Sequence, residues 1–199
     1  MIDPGDWPLP ELARAWREAR PFPHVVLDGI LGEAQLAALR RDLAGEPHWP
    51  YGDEHYSFLA SSEPPQQPAL RDFIAALASA PVLRAVEAIS GQRLGSADGR
   101  AYVYLRGHYL LPHSDCRPTL RRAVAYAWYA MAEPPLAGGE LELFDCTMDG
   151  GEVLQTAPAV RISPRNDRLV LFAVSPATLH QVCEVLEGTR ASLAGWFYP

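Results

Sequence analysis

Three scarcities narrow what this chain can be. The first is cysteine: Cys116, Cys146 and Cys183 are the only three in 199 residues. An odd number at wide spacing supplies neither a disulfide framework nor a CxxC-type zinc site, and it points to a reducing, cytoplasmic setting. The second is a long apolar run. The longest, residues 123–132, falls well short of the roughly 20 residues a helix needs to cross a bilayer. It reads as a buried element of a folded core. Residues 1–20 carry Asp3, Asp6 and Glu11 and no apolar signal core, so a secretory leader is not expected. The third is positive charge. A formal charge of -7 and a pI of about 5.3 leave no global basic field for a phosphate backbone. Neither nucleic acid nor a membrane is expected as a partner; oligomeric state is not legible.

What is present suits one globular domain over residues 1–199. Hydrophobic residues make up 48% and charged residues 21%, which excludes a disordered or fibrous chain. Periodicity divides the chain into a mostly helical support (residues 1–98) and a strand-rich core (99–199). Leu12, Ala13, Trp16 and Ala19 recur at helical spacing, as do Leu36, Leu39 and Leu43. Two further helices, over 68–78 and 81–90, each open on a proline. From residue 100 the spacing predicts short strands over 100–106, 122–131, 140–144, 160–163, 168–174, 181–186 and 191–198. Turn signals such as Asp149-Gly150-Gly151 and Glu187-Gly188-Thr189 separate them. About eight short strands at this spacing suggest a sandwich or jelly roll with helices on one outer face. Residues 46–68, rich in proline and carrying Trp49, Tyr51, Tyr56 and Phe58, show no period. They read as a loop, either covering a substrate or merely packed.

Candidate chemistry sits in His113-Ser114-Asp115 and in His180. In an extended segment residues i and i+2 point the same way, so His113 and Asp115 can reach one ion. Two imidazoles and a carboxylate on one face of an octahedron leave positions open for dioxygen activation at iron(II). His-x-Asp alone is a weak signal, and a lone histidine after an apolar strand is commonly a hydrogen-bonded core residue. Ten residues past His180, Arg190 sits among Leu186, Ala191, Leu193, Ala194, Trp196 and Phe197. A guanidinium in such a strand needs an anion, and a dicarboxylate suits its planar fork, with Ser192 adding a hydroxyl. A three-residue hairpin at Glu187-Gly188-Thr189 would put His180, Arg190 and Ser192 on one face. The plain alternative is an arginine that snorkels to Glu184 or Glu187.

These residues carry a resemblance. Asp167-Arg168-Leu169-Val170-Leu171-Phe172 through His180, Arg190 and Trp196-Phe197-Tyr198 resembles the C-terminal half of the prolyl 4-hydroxylase-like branch of the iron(II)/2-oxoglutarate oxygenases. Tyr104-Leu105-Arg106-Gly107 before His113-Ser114-Asp115 is similar to that family's Tyr-x-x-Gly strand and His-x-Asp motif. Gly138-Gly139-Glu140-Leu141 resembles its Gly-Gly-Glu-Leu turn, and Pro21-Phe22-Pro23-His24-Val25-Val26 the opening strand of the branch that hydroxylates a ribosomal-protein proline. The resemblance spans nearly the whole chain; Tyr129-Ala130-Met131 departs from the common Tyr-Leu-Asn.

The resemblance implies a double-stranded β-helix, a jelly roll packed against helices. It implies iron(II) held by His113, Asp115 and His180, with 2-oxoglutarate and dioxygen as co-substrates and ascorbate a candidate addition. It makes Arg190 the partner of the distal carboxylate of 2-oxoglutarate, joined by Tyr129, with Tyr104 beside the metal-chelating end. Trp196 lines the pocket near iron and Arg122 stands at its mouth. The implied reaction is hydroxylation of an unactivated C–H bond, releasing succinate and carbon dioxide. The substrate class is a prolyl or other amino-acid residue in a protein or peptide, or a free amino acid. Arg100, Arg106, Arg117, Arg121 and Arg122 cluster around His-x-Asp in sequence and would suit an acidic substrate; solvated surface arginines are the alternative. Two rival classes stay open: a non-enzymatic metal-binding jelly roll, and an oxygen- or iron-sensing interaction module.

Overall fold

The computed structural model describes residues 2–132 and 136–199, the side chains of Met131 and Ala132 excepted. Four α-helices lie in the first half: α1 (Leu9–Glu18), α2 (Glu33–Gly45), α3 (Pro68–Leu77) and α4 (Ala80–Ser90). Among and after them run β1 (His24–Asp28), β2 (Trp49–Gly52), β3 (Tyr56–Ala60), β4 (Ser96–Ala97), β5 (Arg100–Tyr104), β6 (Tyr109–His113) and β7 (Val124–Ala132). The second half continues with β8 (Ala137–Gly138), β9 (Leu141–Asp149), β10 (Glu152–Ile162), β11 (Arg168–Ala173), β12 (His180–Val182), β13 (Val185–Glu187) and β14 (Arg190–Tyr198).

A 12-stranded antiparallel sheet follows the order β1-β11-β7-β14-β5-β3-β6-β12-β9-β10, with β2 added to β3 and β4 to β14. The sheet curls, so that Ala125, Ala127 and Tyr129 of β7 and Val170 and Phe172 of β11 share one core with Leu141, Leu143 and Ile162 of β9 and β10. The opposite faces of β7 and β11 offer Val124, Tyr126, Trp128, Leu169 and Leu171 to Leu70, Phe73 and Leu77 of α3 and Val82, Val86 and Ile89 of α4. A strand covered on both faces has no polar side, which is why β7 reads as an unbroken apolar run. This is the jelly roll with helices on one outer face.

Several expected boundaries differ. Residues 46–68 are not a loop: β2 and β3 form a hairpin, and β3 enters the main sheet between β5 and β6. Its prolines masked an alternation, Tyr56, Phe58, Ala60, that turns toward the interior. The strand β6 was hidden by Pro112. Between its pairs with β12, three steps along β6 (Leu110 to His113) answer two along β12 (Val182 to His180), and such a bulge tolerates a proline. β10 runs back to Glu152; its exposed outer half, Glu152-Val153-Leu154-Gln155-Thr156, lacks the apolar–polar alternation that signals a strand. Residues 181–186 are two strands, not one: β12 pairs β6 and β9, whereas β13 pairs β8. The expected hairpin at Glu187-Gly188-Thr189 is therefore absent, and β14 pairs β5 and β7 instead. In β14, Gly195 is obligatory by space: a Cβ there would lie 2.1 Å from the Asp98 carbonyl oxygen and 2.6 Å from Gly99 Cα.

Candidate metal centre and cofactor pocket

The ladder between β6 and β12 sets His113 directly opposite His180. Asp115 follows two residues beyond His113. The ligating atoms of these three side chains all lie within 4.8 Å of one another. His113 Nε2 is 3.8 Å from Asp115 Oδ1, and His180 Nε2 is 3.5 Å from Asp115 Oδ2. Donors at right angles, each about 2.1 Å from a common ion, stand about 3 Å apart. The three atoms are thus near the spacing a facial site requires.

Both rings are turned by their own backbone. His113 Nδ1 lies 2.9 Å from the Leu111 carbonyl oxygen and His180 Nδ1 lies 3.2 Å from that of Thr178. A carbonyl can only accept, so each Nδ1 carries the proton and each Nε2 presents its lone pair to an ion. The plain reading of His180 as a hydrogen-bonded core histidine thus accounts for Nδ1 and not for the direction of Nε2.

Burial of the His113 ring, and then the neighbouring His180, push its pKa down to about 4, against the pull of Asp115. The unfolded chain takes up this proton near 6.5, the ordinary value, and so binds it before the folded chain does. The metal-free protein is therefore expected to lose on the order of 1–2 kcal/mol of stability as the pH falls from about 6.5 toward 4. Urea unfolding of the metal-free protein on either side of that window measures the loss. His113→Gln should flatten it, and an unchanged slope in that variant would place the acid sensitivity elsewhere.

One end of a cavity of about 250 Å³ is formed by the triad, and Arg190, Ser192, Trp196, Tyr104 and Arg122 line it too. Arg190, Ser192, Ala194 and Trp196 alternate along β14, so they share a face even though the hairpin expected to arrange them does not form. Arg190 is 3% exposed. Its guanidinium lies 4.7 Å from the Tyr104 ring centroid and 5.0 Å from that of Tyr129. Among the described residues no carboxylate lies within ion-pair distance of it, so Glu184 and Glu187 do not neutralise it, and its Nε has no hydrogen-bond partner. Tyr129 Oη, also buried, is likewise without a partner. Burial pushes the Tyr104 phenol well up despite Arg190 beside it, so it stays protonated and able to donate. Buried donors left open around a cation match a missing carboxylate.

At the other side of the triad, Arg122 lies over Trp196, with Cζ 3.3 Å from the ring centroid. Its Nη1 is 3.9 Å from Asp115 Oδ1, and Arg122 Nε and Trp196 Nε1 have no partner. Of the five clustered arginines, Arg122 alone lines the cavity. Arg100 is taken up by Tyr102, whose Oη accepts from its Nε at 3.1 Å, while Arg106, Arg117 and Arg121 are exposed. Tyr56 and Phe58, from the aromatic segment read as a possible substrate cover, line the cavity as part of β3, while sequence reasoning did not single out Tyr102, Leu110, Leu141, Phe172 and Val182. The alternation of Tyr102 with Tyr104 was a signal for the first of these.

Residues 99–198 match the family profile described as the 2OG-Fe(II) oxygenase superfamily. A prolyl 3-hydroxylase OGFOD1 from Xenopus laevis is 27% identical over 196 residues, covering 89% of this chain and 35% of the relative. Its counterpart from Mus musculus is 45% identical over 64 residues, 31% of this chain and 11% of the relative. The chain thus spans about a third of the longer match and about a tenth of the other. Among solved structures, a Pseudomonas putida prolyl-4-hydroxylase superposes with a TM-score of 0.72 at 21% identity, covering 96% of this chain and 98% of that one. A Trichoplax adhaerens prolyl hydroxylase in complex with a hypoxia inducible factor peptide fragment gives 0.70 at 14% identity, covering 96% and 88%. These structural likenesses establish the fold.

Proposed function

The chain belongs to the 2OG-Fe(II) oxygenase superfamily, and from that premise we propose that it hydroxylates a prolyl residue presented in a peptide or protein. The family uses iron(II), 2-oxoglutarate and dioxygen, and the donor set fits that group: two Nε2 atoms and one carboxylate for the ion, and, for the distal carboxylate, a buried guanidinium whose Nε is open and the unpartnered phenol of Tyr129. When bound, this group supplies the oxidising power for C–H hydroxylation, with 2-oxoglutarate leaving as succinate and carbon dioxide. The chain's own residues bind and orient. His113, Asp115 and His180 would hold the ion, with the two Nδ1 protons fixing the imidazole tautomers. Arg190, with Tyr129 and Ser192, would hold the distal carboxylate, and protonated Tyr104 would donate beside it. Phe172, Leu141 and Val182 exclude water from the walls. Arg122 and Trp196 keep unpaired N–H donors at the metal side, where a substrate carbonyl would find them.

The unpaired Arg190 carries the catalytic reading, since a metal-binding jelly roll without a co-substrate gives that buried cation no role. The prolyl assignment rests on the printed names of the relatives. We read the three free thiols as those of a protein in a reducing, cytoplasmic compartment. The test is succinate release by the iron-loaded protein with a panel of prolyl peptides, with mass spectrometry for one added oxygen. Turnover stimulated by prolyl peptides and oxygen on proline is expected. Turnover with a free amino acid and none with any prolyl peptide would replace the peptide assignment.

A further inference from the structure

The sheet fixes two of the three ligand positions and leaves the third to something else. His113 closes β6 and His180 opens β12, and the pairing of these strands sets them opposite each other. Asp115 lies past the end of β6, in residues 114–117, which belong to no strand. A carboxylate on an unpaired segment has many orientations, and ordering it costs entropy unless the segment is already held. Arg117 Nη1 donates to the carbonyls of Ser114 and Cys116, and Arg122 Nη1 to that of Asp115. The side chain that ties the segment to the chain leading into His180, however, is the middle residue of His-x-Asp. Ser114 Oγ donates to the Ser175 carbonyl oxygen at 2.7 Å and accepts from the Cys116 amide at 3.1 Å. One hydroxyl therefore closes a turn around Asp115 and ties that turn to the segment between β11 and β12.

The acceptor on the far side is itself built in. The Ser175 carbonyl also receives the Thr178 N–H at 3.2 Å and the Thr178 hydroxyl at 2.9 Å. Thr178 is 3% exposed, and its carbonyl in turn receives Nδ1 of His180 at 3.2 Å. A chain of hydrogen bonds thus runs from the turn that aims Asp115 to the group that fixes the tautomer of His180. Ser114, Cys116, Ser175 and Thr178 do not line the cavity, so their role is separate from substrate or co-substrate contact.

We infer that Ser114 is a positioning residue that aims Asp115 and couples it to His180, setting the affinity for the metal; this rests on the ligand assignment above. Outer partners of metal ligands typically contribute about ten- to a hundredfold in affinity. Cobalt(II) is a suitable probe, because its visible spectrum reports binding to the metal-free protein without turnover. Ser114→Ala and Ser114→Val are expected to weaken cobalt(II) binding by about ten- to a hundredfold, whereas Ser114→Thr, which has the size of valine and keeps the hydroxyl, should stay near wild type. In an Asp115→Ala background, where two imidazoles bind cobalt(II) weakly, removing the Ser114 hydroxyl should have no further effect. An equal loss in both backgrounds would mean that Ser114 supports the fold alone and would overturn the inference. So would wild-type affinity in both Ser114→Ala and Ser114→Val. A wild-type protein that binds no cobalt(II) would overturn the triad itself, and the inference with it.

Discussion

Replacing Arg190 by methionine is expected to raise the 2-oxoglutarate concentration needed for half-maximal turnover by between about thirtyfold and several thousandfold. Truncating one partner of a buried, hydrogen-bonded charge pair costs about 2–5 kcal/mol, and each 1.4 kcal/mol is about tenfold. A second sign separates this from general damage. In the ligand-free protein the guanidinium is buried, faces Tyr104 and Tyr129, and has no carboxylate within ion-pair distance among the described residues. A buried ion without a counter-charge costs stability that an apolar side chain of similar volume does not. Arg190→Met should therefore melt no lower than wild type without ligand. Wild-type protein should gain stability with 2-oxoglutarate by mass action, and the variant should not. Thermal denaturation with and without 2-oxoglutarate reads both. A variant that melts lower yet keeps its 2-oxoglutarate requirement would make Arg190 a packing residue.

The chemistry was more legible than the strands, for physical reasons. A metal site and a buried cation are expensive, so they leave residues that packing does not explain: His-x-Asp at strand spacing, and an arginine inside an apolar run. The alternation of Arg190, Ser192 and Trp196 along β14 is a local property, and it survived an error about what the strand pairs with. Pairing is a long-range property. The run over residues 181–186 looks like one strand because nothing local says that Val182 and Val185 belong to different partners. β2, β3 and β6 were missed or misread because Pro50 and Pro112 are ordinarily signs against a strand. Each is tolerated here, Pro50 on a strand paired along one edge only and Pro112 beside a bulge. The cavity walls were illegible for another reason. Phe172, Val182 and Leu141 are the residues that any core would use, and curvature alone decides that they face the triad. Arg122 and Arg100 show the limit of charge counting: both lie near His-x-Asp in sequence, but one is laid on Trp196 and the other is held by Tyr102.

Removing His180 should have the largest effect. His180 is 5% exposed, and its ring packs edge-on against Phe172 with centroids 4.7 Å apart and shares the ion site with His113 at a centroid distance of 4.3 Å. His180→Gln keeps much of the volume, so it separates loss of the metal from collapse of the wall. Metal ions supply several kcal/mol of stabilisation to a reaction, and each 1.36 kcal/mol is tenfold in rate, so 2-oxoglutarate turnover should fall by about a thousandfold or more. Because His180 is one of the groups that hold the His113 pKa down, its loss should also ease protonation of the remaining ring, so residual metal binding should fade at a higher pH than in wild type. Iron(II) titration of the metal-free variant across the acid range checks both effects at once. Wild-type affinity in His180→Gln would remove His180 from the ligand set and leave His113 and Asp115 in search of a third donor. Lost affinity with wild-type melting of the metal-free protein would tie the loss to the ligand and not to the fold.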